Sequence, residues 1–99
     1  MREDRQRLDK WLWFARFAKT RSLAAKLVTA GHVRINGQRT DNAAKALAVG
    51  DVVTVALART ATVVRVEDLG ERRGPAAEAR LLYTDLASEG PLAREPGKV

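Results

Sequence analysis

The residues best equipped for chemistry in this sequence are cations set close together. Lys19-Thr20-Arg21-Ser22 alternates two positive side chains with two hydroxyls. Arg7, Lys10 and Arg16 precede this stretch, and Lys26, Arg34 and Arg39 follow it. Cations beside a helix N-terminus suit a phosphate group, because the free backbone N–H groups and the helix dipole add to the side-chain charge. The hydroxyls of Thr20 and Ser22 can donate to phosphate oxygens as well. The same four residues also fit an ordinary N-cap with solvated charges. Asn36 and Gln38 flank Gly37, where a turn would let their amides reach a polar ligand.

Residues for other kinds of chemistry are missing. The chain has no cysteine, which excludes disulfides and thiolate metal sites. Its one histidine, His32, cannot form a cluster for a metal and reads as a packing or hydrogen-bonding residue. There is no nucleophile with a nearby base, no glycine-rich phosphate loop and no pair of carboxylates on one helix face. No catalytic residue, metal site or cofactor is therefore expected.

The charge is distributed unevenly. Residues 1–40 carry ten basic residues against three acidic, whereas residues 41–99 carry eight against nine. The net charge of +6 thus originates in the first part of the chain. Such one-sidedness favours a polyanionic partner, nucleic acid above all, over a merely solvated basic face or an acidic lipid surface. No apolar run approaches the ~20 residues that span a bilayer. Met1 to Lys10 is charged and lacks the apolar core of a secretory signal, so a cytoplasmic location is expected.

The elements that must position these cations follow from periodicity. Leu8, Trp11, Leu12 and Ala15 fall on one face of a helix expected over 7–18. Trp13 and Phe17 then project from the other side, where they either stack on bases or pack under a later element. Asp9, early on that helix, complements its dipole and can pair with an arginine. Thr20 caps a second helix with Leu23, Ala24, Leu27 and Val28 as its stripe and Gly31 at its end. Leu12 and Leu27 both read as core leucines. Val33 to Thr40 alternates around Asn36-Gly37, the strongest short hairpin signal. A connector over 41–50 leads to strands at 52–57 and 61–66, joined by a turn near Arg59. A polar loop over 67–74, a third helix over 76–86 with Ala79, Leu82, Tyr83 and Leu86 at helical spacing, and a disordered tail over 87–99 complete the chain. Residues 1–6 are expected to fray.

Several of these residues carry a resemblance. Arg7-Leu8-Asp9-Lys10, Thr20-Arg21-Ser22, Gly31-His32-Val33, Ile35-Asn36-Gly37 and Val49-Gly50-Asp51-Val52 resemble, in order, the RNA-binding domain of small-subunit ribosomal protein four, the S4-type domain. Lys10-Trp11-Leu12-Trp13, Ala15-Arg16-Phe17, Lys19-Thr20-Arg21 and Leu81-Leu82-Tyr83 are similar to the fifteen-kilodalton bacterial heat-shock protein family. The resemblance implies an α+β fold of two helices packed on a small antiparallel sheet with a further C-terminal helix. Residues 7–66 form the domain (core motif 7–55), followed by the loop and helix to residue 86. It further implies a monomer that binds ribosomal RNA of free large subunits blocked by peptidyl-tRNA, aids their recycling in the heat-shock response, and has some affinity for DNA. The RNA-binding set is then Arg7, Lys10, Arg16, Lys19, Thr20, Arg21, Ser22, Lys26, Arg34, Asn36 and Gln38. The family's C-terminal extension is basic, and residues 84–99 depart from that pattern, with only Arg94 and Lys98 as cations against Asp85, Glu89 and Glu95. Enzymes that carry this domain have a separate catalytic domain, for which 99 residues leave no room.

Overall fold

Leu8, Trp11, Leu12 and Ala15 do form one face, and all four are buried to 3% exposure or less in the computed structural model, which describes residues 5–56 and 61–86. The first helix, α1, is shorter than its apolar spacing suggests, spanning Leu8–Phe14 rather than running to residue 18. Arg16 ends it by adopting φ +68°. The Arg16 N–H then donates to Trp13 O at 3.1 Å and the Phe17 N–H to Leu12 O at 2.9 Å. This is the paired-bond Schellman closure of a helix C-terminus, with arginine at the left-handed position. It swings Phe17 off the helix and onto Trp11 and Tyr83, at ring-centroid distances of 6.0 and 5.1 Å. Phe17 is thus a half-buried packing residue, and Trp13 stacks on the buried ring of Phe14.

The second helix, α2, spans Arg21–Thr29, and Thr20 Oγ1 accepts from the Leu23 N–H at 3.1 Å as the cap. Ala24 and Val28 are fully buried. Leu27 is only half-buried and Leu23 is 45% exposed, so the buried stripe is narrower than expected. Gly31, at φ +85°, closes α2 with the same two bonds that close α1: Gly31 N–H to Val28 O and His32 N–H to Leu27 O.

Gln6, expected to fray, and Ala46 and Leu47, expected merely to connect, take part in a small ladder, and residues 1–4 lie outside the described residues. Gln6–Arg7 (β1) pairs antiparallel with Ala46–Leu47, and the N–H groups of Leu8 and Asp9 donate to Lys45 O and Ala43 O. These bonds satisfy the start of α1, which has no side-chain cap.

The main sheet is antiparallel throughout its described pairings. Val33–Ile35 (β2) and Gln38–Arg39 (β3) form the expected hairpin, with Asn36 at φ +52° and Gly37 at φ +84°. With Ala46–Leu47 counted as β4, the remaining strands are Val52–Ala56 (β5), Ala61–Val66 (β6) and Tyr83–Asp85 (β7). Their order is β3-β2-β5-β6-β7. Val33, Ile35, Val53, Val55, Val64 and Val66 alternate onto the face that joins α1 and α2 in one core.

The third helix differs most from expectation. Ala76–Ala79 (α3) is a single turn, followed by a 3-10 turn at Arg80–Leu82, and the chain then straightens into β7. The edge of β6 decides this, offering Tyr83–Asp85 a ladder from Val64 to Val66. The polar loop ahead of α3 crosses α1. Trp11 Nε1 donates to Asp68 O at 3.0 Å, and Gln6 exchanges two hydrogen bonds with the backbone of Gly70. A Cβ at Gly70 would stand 2.5 Å from Phe14 Cδ2, so only glycine fits there. The turn near Arg59 and the tail over 87–99 lie outside the described residues.

Candidate nucleic-acid interface

Two of the cations are brought together by one buried carboxylate. Asp9 is 3% exposed, yet its side chain is reached by two half-exposed arginines. Arg7 donates to it in fork geometry, Nε to Oδ1 and Nη2 to Oδ2, both at 3.1 Å. Arg21 Nε stands 3.7 Å from Oδ2. The hydrogen bonds and charge of Asp9 raise the pKa of Arg7 above its ordinary value. Two guanidiniums on one carboxylate leave a local excess of one positive charge at the first turn of α2. Both side chains stay about half exposed beside the carboxylate, an arrangement suited to bridging phosphate oxygens. Ser22 is exposed beside them. Asp9 thus serves the fold, as expected, and also orients the site.

The other sequence candidates fall into separate groups. Arg16 Nε is tied to Gly74 O at 2.8 Å, so its partner is the C-terminal segment, not Asp9. Lys10 lies over the Phe14 ring, 5.7 Å from its centroid. Lys19 and Lys26 are exposed and share the rim of a groove along α2. On the hairpin, Arg34 pairs directly across from Arg39, and both are exposed. Like charges opposed across strands disfavour the sheet, and an anion between them would relieve that cost. Gln38 is exposed and lines a cleft of about 330 Å³ together with Arg39 and Lys45.

Asn36 is tied into the fold at the hairpin turn. Its Oδ1 accepts from the Val52 N–H at 2.9 Å and its Nδ2 donates to Asp51 at 3.2 Å. Both ends of the amide thus anchor the hairpin turn to β5. Sequence periodicity carries no sign of Lys45, which sits in the irregular segment after residue 41. Its proximity to the hairpin depends on the pairing of β1 with β4. Among the described residues no group of three or more His, Asp or Glu could hold a metal. No helix among them is long and apolar enough to cross a membrane.

The helix pair, the cation-bearing cap between its helices and the hairpin that follows all lie within residues 6–53, which match the family pattern of the S4 domain. Small ribosomal subunit protein uS4 of Xanthobacter autotrophicus is 39% identical over 72 residues, which is 71% of this chain and 35% of that protein. Heat shock protein 15 of Escherichia coli is 43% identical over 81 residues, covering 82% of this chain. The chain spans only 60% of the length of that relative. The structure of Vibrio cholerae Heat Shock Protein 15, described as trimeric, superposes with a TM-score of 0.79 at 40% identity, covering 86% of this chain and 85% of that one. This chain belongs to the heat shock protein 15 family of S4-domain proteins.

Proposed function

We propose that the protein binds structured RNA through the first turn of α2 and the β2–β3 hairpin. Its target is ribosomal RNA of free large subunits that carry stalled peptidyl-tRNA, whose recycling it aids in the cytoplasm during heat stress. The observation that carries the RNA reading is the Arg7–Asp9–Arg21 cluster, a buried carboxylate holding two half-exposed guanidiniums beside a helix N-terminus. The ribosomal and heat-shock parts rest on kinship with uS4 and heat shock protein 15. Binding is positional: Arg7, Arg21, Lys19, Lys26 and Arg34 meet phosphates, and the hairpin, with Gln38 at its rim, sets register by shape.

The test is titration of wild type and Arg21→Ala against large-subunit RNA at several salt concentrations. Each phosphate contact releases condensed counterions, so the variant should bind more weakly with a log–log salt slope smaller by roughly 0.7–0.9. Arg21 lies off the buried stripe and Asp9 keeps Arg7 as a partner, so circular dichroism should be unchanged. A folded variant with unaltered affinity and slope removes Arg21 from the interface. Competition with a DNA duplex of the same sequence measures the expected secondary DNA affinity. Sedimentation with and without RNA tests the expected monomer against the trimer described for the Vibrio cholerae relative.

A further inference from the structure

The exposed side of α2 carries a feature that phosphate contacts leave unexplained. A groove of about 580 Å³ runs between α2 and the α1–α2 link. Its floor is Phe17, Ala18, Leu23, Leu27 and Ala30. Leu23 is 45% exposed, and Phe17 and Leu27 are half-buried, so folding leaves this apolar surface partly in water. Lys19 and Lys26 stand at the rim with His32, and none of the lining residues is acidic. The size falls within the ~300–1,000 Å³ typical of small-ligand sites.

We propose that this groove receives one unpaired nucleobase of the bound RNA. The inference rests on the RNA-binding reading above and adds what that reading lacks, a contact to a base. A nucleotide combines an apolar, flat base with an anionic phosphate, and the groove combines an apolar floor with a cationic rim. Lys19 immediately precedes the Thr20 cap, so the rim is continuous with the phosphate-binding first turn of α2. An RNA strand held at Arg21 can therefore lay an unstacked base against Phe17 and Leu23 while Lys19 or Lys26 meets its phosphate. Such a contact tolerates any base, because every base has an apolar face, and it selects unpaired over paired positions.

The experiment uses the full chain and three short RNAs: a stem-loop with one bulged adenosine, the same stem-loop with an abasic residue at the bulge, and a fully paired counterpart. Wild type should bind the bulged RNA at least about 5-fold more tightly than the abasic one, the lower end of a base–aromatic contact. Leu23→Gln should bring that ratio close to one while leaving the salt slope and the affinity for paired RNA unchanged. Leu23 is exposed enough for the variant to fold, which circular dichroism confirms. Equal wild-type affinity for bulged and abasic RNA, with salt dependence intact, overturns the base site and leaves the RNA reading standing. A ratio that persists in Leu23→Gln places the base elsewhere and overturns it too. Loss of a self-associated form in Leu23→Gln, with the ratio unchanged, assigns the groove to a second copy of the chain instead. Absence of salt-dependent binding to all three RNAs removes the RNA reading itself, and the base site with it.

Discussion

The two longest helices among the described residues end in the same way with different residues. Both close by the Schellman pair of bonds, α1 through Arg16 at φ +68° and α2 through Gly31 at φ +85°. Glycine adopts that conformation freely, whereas a side-chain-bearing residue gives up roughly 1–2 kcal/mol. Arg16 recovers part of this through its bond to Gly74 O, 58 residues away in sequence. The end of α2 is thus a local event and the end of α1 a tertiary one. Gly31 has a tertiary role as well, since the Arg39 guanidinium lies 3.2 Å from where a Cβ would stand.

The largest contrast should come from the leucines whose carbonyls accept the closing bonds. Leu12→Ala is expected to cost about 2–5 kcal/mol in urea melts, because Leu12 is fully buried. Leu27→Ala, half-buried at the equivalent position of α2, should cost about 1–2 kcal/mol. Equal losses would mean that the two ends are equally embedded.

Substitution at the left-handed positions sharpens the comparison. Gly31→Ala should lose about 1–2 kcal/mol through strain at positive φ. Arg16→Ala keeps its strain and forfeits the Gly74 bond, for about 0.5–1.5 kcal/mol. Arg16→Gly trades relief of strain against that bond and a more flexible unfolded chain, so thermal melts should place it within about 0.5 kcal/mol of wild type. A marked gain for Arg16→Gly would show that the Gly74 bond contributes nothing.

The smallest effect concerns the strand beyond the segment that holds Arg16. Glu67 accepts from Thr84 Oγ1 at 2.6 Å and Arg65 Nε at 2.9 Å, and those bonds lower its pKa from the ordinary 4.5. A depressed carboxylate contributes stability above its unfolded pKa, and that contribution fades as pH falls through the folded value. Glu67→Gln should therefore be slightly less stable than wild type at neutral pH, and the gap should close under acid. A gap that widens in acid would contradict the assigned hydrogen bonds.

Most of what the first forty residues do was legible because it is local. The α1 face repeats at helical spacing, Thr20 supplies its own cap, and Asn36-Gly37 accepts the φ values its turn requires. Two local signals nevertheless misled. The run to residue 18 kept helical spacing past Phe14 because nothing in composition marks an arginine that will turn left-handed. Residues 76–86 kept it as well, yet Tyr83–Asp85 is a strand because an open edge lay beside it. Among the candidate cations, residue type and position along α2 were readable. Their grouping was not, since Asp9 joins Arg7 to Arg21 while Gly74 takes Arg16.

By itself the sequence determined the helix pair, the hairpin and the cationic character of the first half. Each of these depends on neighbours a few residues apart, whose geometry the chain carries with it. Tertiary structure alone decided which cations share a carboxylate, where α1 stops and what covers it. Those outcomes depend on groups such as Gln6 and Gly70, 64 residues apart, or Trp11 and Asp68, 57 apart, which meet only when the core has formed. A buried Asp9 and a polar loop folded over Phe14 have no periodic trace, because long-range contacts answer to shape and desolvation rather than to spacing along the chain.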